Sequence, residues 1–564
     1  MASLSSAAVR WPRKIAGLME RPLFLSAIPA IFLALLLIGA LRGYSPVPTY
    51  DMWEGALLGY FRLMEDGNPW EFLDFWNEHR IVLSKILFWL DTRYFGTRFL
   101  LLIAANIVLL VALWGALCAI ARKLVLDRDL WQILCAGIAA LSFSWLQREN
   151  VDSPFQSQFI LAYLVPLLAF FAMANAQVQP ARTGRFVAAV VLAAASPGTM
   201  ANGLLVFPLL IGMQIVVGLA SGRWAWGRLG IVASAGVVLT VLWFRDFSSP
   251  HGDRATAVDF VIFAATFLGF PFGYLTSSIT GGIVGCAVFL ALLVLVLHHA
   301  WRARTHLDPF FIGLLAVLAY VGGTCLLTAY GRAAINPNAA LIGRYATPSL
   351  VGWACLLILL GAIYQRRANA RRIFAATSIA VALVLFPTQF LRTIGDDGPT
   401  MAHGAMRAAL AFKLGVPDLR AANWAFHTPS REQYDAVKTW SERISGLEGS
   451  IFADPMWDHV IAKIGTDAGT MHACKTHVDG VREIPGEFRF RIVEGWAMDE
   501  EKVRQPRFIY FAADGKIVGL ALRGAPRPDV SDIIDLRGGY AGYYGYVLAT
   551  NAESFTVVCP EGAL

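Results

Sequence analysis

Apolar positions in this chain come in unbroken runs of about twenty residues that recur as far as residue 390. A helix needs about that length to cross the hydrocarbon of a bilayer. Spans are expected near 23–42, 98–121, 130–146, 157–174, 186–200, 203–220, 228–244, 279–298, 308–328, 346–364 and 373–391, about eleven in all. The stretch DFVIFAATFLGFPFGYLTSS, 259–278, is also apolar, but its proline, glycines and polar end fit a segment lying at the interface. After residue 391 the pattern changes. PSREQYDAVKTWSERISGL, 429–447, reads as an amphipathic helix, and from 487 onward EFRFRIVEGWAMD, RFIYFAADGKIVGLALR, YYGYVLAT and SFTVVC read as strands. The Asp-Gly pair in ADGK supplies a hairpin turn. The expected fold is a polytopic α-helical membrane protein over 1–391, followed by a soluble C-terminal α+β or β-sandwich domain over 392–564.

Composition agrees with the pattern. The 564 residues are 57% hydrophobic and 15% charged, with a mean hydropathy of +0.55. Soluble domains hold about 25% charged residues, so an ordinary soluble chain is excluded. The net charge of +7 is no nucleic-acid signal, because its excess sits in short loops between spans. Arg10, Arg13, Lys14 and Arg21 precede the first run, which is long for a cleavable signal peptide and reads as a retained anchor. Alternate short connections, with these four, carry seventeen Lys and Arg, against five in the intervening ones (Arg148, Arg245, Arg254, Arg332 and Arg344). The positive-inside rule then places the N-terminus in the cytoplasm, and the 43–97 loop and everything past 391 outside it. This parity requires that 259–278 does not cross.

Cys118, Cys135, Cys286, Cys325 and Cys355 fall in expected spans, where a thiol behaves as a small apolar group. Cys474 and Cys559 belong to the outer domain, where an oxidising compartment would let them form a disulfide; two unrelated thiols are the alternative. No CxxC, HExxH, phosphate loop, dinucleotide fingerprint or nucleophile elbow is present. Candidate chemistry therefore rests on four outward-facing polar clusters. These are the loop 43–97 with Asp51, Glu54, Glu78, His79 and Arg80; LQRENVDSPFQSQF, 146–159, with Glu149 and Gln156; FRDFSSPHGDR, 244–254, with His251; and AYGRAAINPNAALIGRYATPS, 329–349, with Arg332, Arg344 and Tyr345. Ionisable groups beside spans are costly and tend to be functional. Asp51 precedes Glu54 by three positions, which puts both carboxylates on one helical face; the alternative for Asp51 is a helix cap. Arginine at the start of a span suits paired hydrogen bonds to a phosphate, and the alternative for Arg344 is an interface anchor.

A long first outer loop with an early aspartate, an interfacial helix in WNEHRIVLSKILFWLDTRYF, about eleven spans and an outer C-terminal domain together resemble the GT-C glycosyltransferases. NEHRI, FQSQF, ANGLLVFP and GRYATPS are similar to segments of bacterial members associated with surface-glycan modification. The tail run from VEGWAMDEEK to PRPDV is similar to β-domains attached to some bacterial glycosyltransferases. The resemblance implies an inverting transfer of a sugar from a polyprenyl-phosphate donor to a cell-surface glycan or lipid acceptor. It implies Asp51 as general base with Glu78 in reserve. Arg344, with Arg332 or Arg80, would hold the donor phosphate beside His79 and Tyr345, and Glu54, Glu149, Gln156 and His251 would line the acceptor side. The first loop has no DxD, so no metal cofactor is implied. The implied setting is the bacterial inner membrane, with membrane lipids and no nucleic acid as partners. A transporter or flippase, or a ligase of lipid-linked glycans, is the alternative.

Overall fold

The computed structural model describes residues 22–248, 255–303, 307–367, 369–395, 397–428, 430–469, 471–499, 505–530 and 540–560. Arg10, Arg13, Lys14, Arg21, His251, Arg254 and Arg304 lie outside the described residues. The chain divides into two compact units. One takes residues up to Leu37, Phe72–Ser84 and Ala105–Leu391; the other takes Ile38–Glu71, Lys85–Ala104 and Arg392–Leu564. Two pieces of the long first loop thus fold with the C-terminal domain.

Ten helices in the described residues are long and apolar enough to cross a membrane, or eleven if one bent pair counts as a span. Polar caps mark where several of them start. Asp127 accepts from the backbone N–H groups of Asp129 and Leu130 at 3.0 and 3.2 Å, and Asp308 accepts from Phe310 at 2.7 Å. The expected span 186–200 is a correction. It forms a helix of only 13 residues, Thr183–Ala195, about 20 Å long and too short to cross alone. Pro197 and Gly198 end it in a 3₁₀ turn, Ser196–Gly198. The segment still runs from Arg185, which reaches Asn175 at 3.4 Å, to Ala201, whose N–H reaches His79. Its irregular part is buried at Ser196 and Thr199, as backbone without helical bonds must be inside an apolar bundle.

Residues 259–278 form the bent pair. The helices Ala257–Leu268 and Phe270–Thr276 meet at 91°. Tyr345 packs on Phe263 and Phe267, and Leu341 lies against Gly273, so both arms of the bend lie against the segment before the helix Ala346–Tyr364. Gly269 makes the bend possible: a Cβ there would fall 1.9 Å from the carbonyl oxygen of Gly282.

In the second unit the helices Asp397–Leu414 and Arg431–Ile444 accompany strands β1 (His472–Ala473), β2 (Lys475–Ile484), β3 (Glu487–Met498), β4 (Phe508–Ala513), β5 (Lys516–Ala525), β6 (Gly542–Leu548) and β7 (Thr556–Cys559). The expected β-sandwich is not what forms. The strands make one seven-stranded antiparallel sheet in the order β1-β7-β4-β5-β6-β3-β2. β1 and β2 sit at opposite edges, yet only Cys474 separates them in sequence, so the sheet curls until its edges approach at that residue. One face therefore closes on itself around Val493, Ile509, Phe511, Val518, Tyr543 and Val557. The other face is covered by helical segments instead of a second sheet. Asp418 accepts hydrogen bonds from the Tyr544 and Tyr546 hydroxyls, and Trp457 stacks edge-on to Phe508. This double cover explains why β4 and β6 are buried at nearly every position instead of alternating. Asp514 and Gly515 both take positive φ, the hairpin turn that ADGK predicts. Cys474 and Cys559 are joined by a disulfide with Cα atoms 5.3 Å apart, tying the corner to β7.

The first-loop pieces are held in this unit by specific contacts. Trp53 is fully buried among Phe412, Trp440 and Phe452. The Arg98 guanidinium donates to the Gly449 carbonyl at 2.6 Å and to Asp454 at 3.0 Å. Gly96 and Gly449 touch backbone to backbone: a Cβ on either would fall within 3.0 Å of the other's Cα.

Candidate functional site

In the bundle unit, a tight turn presents the first polar group. Trp76 and His79 exchange backbone hydrogen bonds of 2.8 and 3.0 Å, and Asn77 between them takes a left-handed φ of 50°, which asparagine tolerates well. The turn is fixed by Arg80. Its guanidinium donates to the carbonyls of Leu73, Trp243 and Arg245 and lies 3.9 Å from the Phe75 ring centre. Arg80 thus ties the 72–84 segment to the end of the helix Trp226–Phe244.

Glu78 pairs with Arg332, the last residue of the helix Pro309–Arg332. His79 lies beside them, its Nε2 3.9 Å from the Glu78 carboxylate and its Nδ1 accepting from the Ala201 N–H at 3.4 Å. A second pair follows the same plan. The Glu149 carboxylate accepts from the Arg344 backbone N–H at 3.2 Å and lies 3.9 Å from its guanidinium. Asn150 donates to the Arg344 carbonyl at 3.0 Å and to Thr347 at 2.9 Å, and Thr347 donates to Gln147 at 2.7 Å. Tyr345 follows Arg344, whose guanidinium lies 5.8 Å from its ring centre, and the ring packs on Phe159, Phe263 and Phe267. Glu78, His79, Arg332, Glu149, Arg344 and Tyr345 are therefore gathered at one end of the bundle. They come from four segments: the Trp76–His79 turn, the end of the helix Pro309–Arg332, the short helix Glu149–Asp152 and the turn Gly343–Tyr345.

The electrostatics are those of a partly desolvated, charge-balanced site. Both pairs are only about one-fifth to one-third exposed. Burial pushes the His79 imidazole down to about 4, outweighing the adjacent Glu78 carboxylate. Burial also pushes the Asp152 carboxyl up to about 7, with Arg148 opposing and Glu149 adding to the rise. Several buried polar atoms here make no hydrogen bond: Glu78 Oε2, Arg344 Nε, Asn150 Oδ1, Gln156 Oε1 and Asn202 Oδ1. Buried polar atoms are costly to leave unmet, so a concentration of them marks a place suited to a polar ligand. Asp152, Asn150 and Asn202 were not singled out from sequence. Their signal was a polar residue at the entry to an apolar run, which also describes many caps.

Asp51 and Glu54 belong to the other unit. Asp51 stands at the start of a π-helical stretch, Met52–Leu58, and its side chain makes no capping bond, so the cap alternative is not realised. Such stretches are rare and often accompany functional sites. Partial desolvation first, and the Asp51 carboxylate next, hold the Glu54 carboxyl above its ordinary value. Among the described residues no group of three or more His, Cys, Asp or Glu side chains could hold a metal ion.

Fold and site together define a multi-helix chain suited to a membrane, with a polar cluster at one end of its bundle and a C-terminal antiparallel β unit. Compared with protein-family models, curated proteins and solved structures, the chain matches none.

Proposed function

We propose that this chain is a membrane glycosyltransferase that uses a polyprenyl-phosphate sugar. The observation that carries this reading is the cluster around Tyr345: two half-buried arginines, their carboxylates and several unmet polar atoms at the end of an apolar bundle. A lipid-linked donor calls for that combination, because its tail needs apolar helices and its phosphate needs cations at their ends. With the basic connections in the cytoplasm, the polar end faces the outside. In the reaction an acceptor hydroxyl oxygen attacks the anomeric carbon from the face opposite the phosphate, inverting it. The carbon–oxygen bond to phosphate breaks, and polyprenyl phosphate leaves with the electron pair, stabilised by Arg332 and Arg344. The hydroxyl proton passes to a carboxylate, for which Glu78 is the candidate in this cluster.

A transporter of lipid-linked glycans is the second reading, favoured by the bent pair Ala257–Thr276 beside Tyr345. Purified protein supplied with radiolabelled polyprenyl-phosphate sugars separates the two. Covalent transfer to an acceptor glycan or lipid supports the transferase; movement of intact label across a vesicle without transfer overturns it. Within the transferase reading, Asp51→Asn and Glu78→Gln identify the base, which should lose about 10²–10⁴-fold in rate with donor binding kept.

A further inference from the structure

The second unit holds a cleft of about 560 Å³ that the transfer reaction does not use. Its walls come from the end of the helix Asp397–Leu414, from the polar face of the helix Arg431–Ile444, and from β3. Four cations from these three elements line it: Lys413, Arg431, Lys438 and Arg489. Asp435 and Glu442 are the two carboxylates of the lining, and they pair with Arg431 and Lys438. An exposed helix face laced with ion pairs would account for Arg431–Asp435 and Lys438–Glu442 alone. It does not account for Arg489. That exposed guanidinium is fixed by Glu487, whose side chain is 7% exposed and accepts from the Arg489 backbone N–H at 2.7 Å, from Nε at 3.1 Å and from NH2 at 3.1 Å. NH2 also donates to the Gly415 carbonyl at 3.0 Å, on the cleft wall. A buried carboxylate holding an exposed arginine in one pose is the arrangement of a prepared binding group.

We propose that this cleft binds a short acidic oligosaccharide. The volume suits a small ligand of a few rings. The lining offers donors and acceptors side by side, which suits a ligand whose hydroxyls both donate and accept; its four cations outnumber its two carboxylates, with Lys413 and Arg489 paired to Asp458 and Glu487 outside the lining, which suits a ligand bearing uronate-type carboxylates. The site stands whether or not the chain transfers sugars.

The test uses the full chain in nanodiscs of zwitterionic lipid and measures binding of trigalacturonate by calorimetry. Saturable binding is expected that weakens with salt, that exceeds maltotriose by about tenfold or more, and that falls about tenfold in Lys438→Glu. If Lys438→Glu fails to fold, Lys438→Gln and Arg431→Gln should each weaken binding about threefold or more. Absence of trigalacturonate binding overturns the proposal. So does equal binding of maltotriose, equal competition by inorganic phosphate or by anionic-lipid vesicles, or unchanged binding in these folded variants.

Discussion

The two ends of the helical bundle use arginine in opposite ways. At the end rich in basic residues, the half-exposed Arg371 reaches the Asp127 and Asp129 carboxylates at 2.7 and 2.9 Å. Arg122 there donates to the carbonyls of Val125 and Leu126, and Arg228 donates to those of Ala176 and Pro180. These side chains close helix ends and loops. At the other end, Arg332 and Arg344 are fewer, more enclosed, and matched to carboxylates, with Glu78 Oε2 and Arg344 Nε left without a hydrogen bond. Arginine number is thus a signal of orientation, whereas arginine environment is a signal of chemistry. The first follows from loop electrostatics at a membrane; the second follows from the cost of desolvating a charge without a partner.

The contrast breaks most visibly in activity. Arg344→Ala should lower kcat/KM with a polyprenyl-phosphate sugar by about 10–100-fold, since it removes charge-assisted bonds to the leaving phosphate. Arg371→Ala, at the exposed end, should stay within about twofold. Arg344→Lys keeps the charge and loses the fork, so it should fall between them. Equal losses at the two ends would reduce Arg344 to an interface anchor.

Stability sharpens the same contrast. Arg332→Gln leaves the Glu78 carboxylate half-buried without its cation and should cost about 1–3 kcal/mol in thermal unfolding of the detergent-solubilised protein. Arg228→Gln should cost no more than about 0.5 kcal/mol, because carbonyls beside water lose little. Adding Glu78→Gln to Arg332→Gln should recover part of the loss, as removing both partners of a pair does. No recovery would mean that Arg332 stabilises the bundle through contacts other than Glu78.

Much of this organisation was legible in the chain. Long apolar runs marked the helices because hydrocarbon length fixes residue number, and the polar clusters 75–85, 146–159 and 329–349 come together as ends of those helices must. What the pattern missed has physical causes. The run 186–200 is apolar enough to span, but Pro197 and Gly198 deny it the last helical turn. The run of strands suggested two sheets because a covered outer face reads the same whether a sheet or helices cover it; Asp418 under Tyr544 and Tyr546 is set by tertiary contact alone. The union of 38–71 and 85–104 with the tail was equally hidden, because the burial of Trp53 depends on Phe412, Trp440 and Phe452, hundreds of residues away. Asp91 belongs to the same class. It is fully buried in a charged-looking stretch, accepts from the Phe99 N–H at 3.3 Å, and burial pushes its carboxyl up to about 7.

The smallest expected effect concerns the imidazole of His79 at the polar end. His79 lies against Glu78 and Arg332, and burial lowers its pKa from 6.5 to about 4. Folded protein therefore holds the imidazole neutral in a range where the unfolded chain takes up a proton. The sign follows directly: above pH 6.5 the contribution to stability is complete, and it is lost progressively as pH falls from 6.5 toward 4, below which both states are protonated. Unfolding of the wild type should thus become easier across that window, and His79→Gln should flatten part of the decline. Glutamine can still accept from the Ala201 N–H, so the turn should survive the change. Because the ring stays neutral, transfer between pH 6 and 8 should show no limb belonging to His79, and the Gln variant should follow the wild-type profile. A slope left unchanged by His79→Gln would show that the imidazole is solvated and charged at low pH, and that the polar end is wetter than its paired arginines imply.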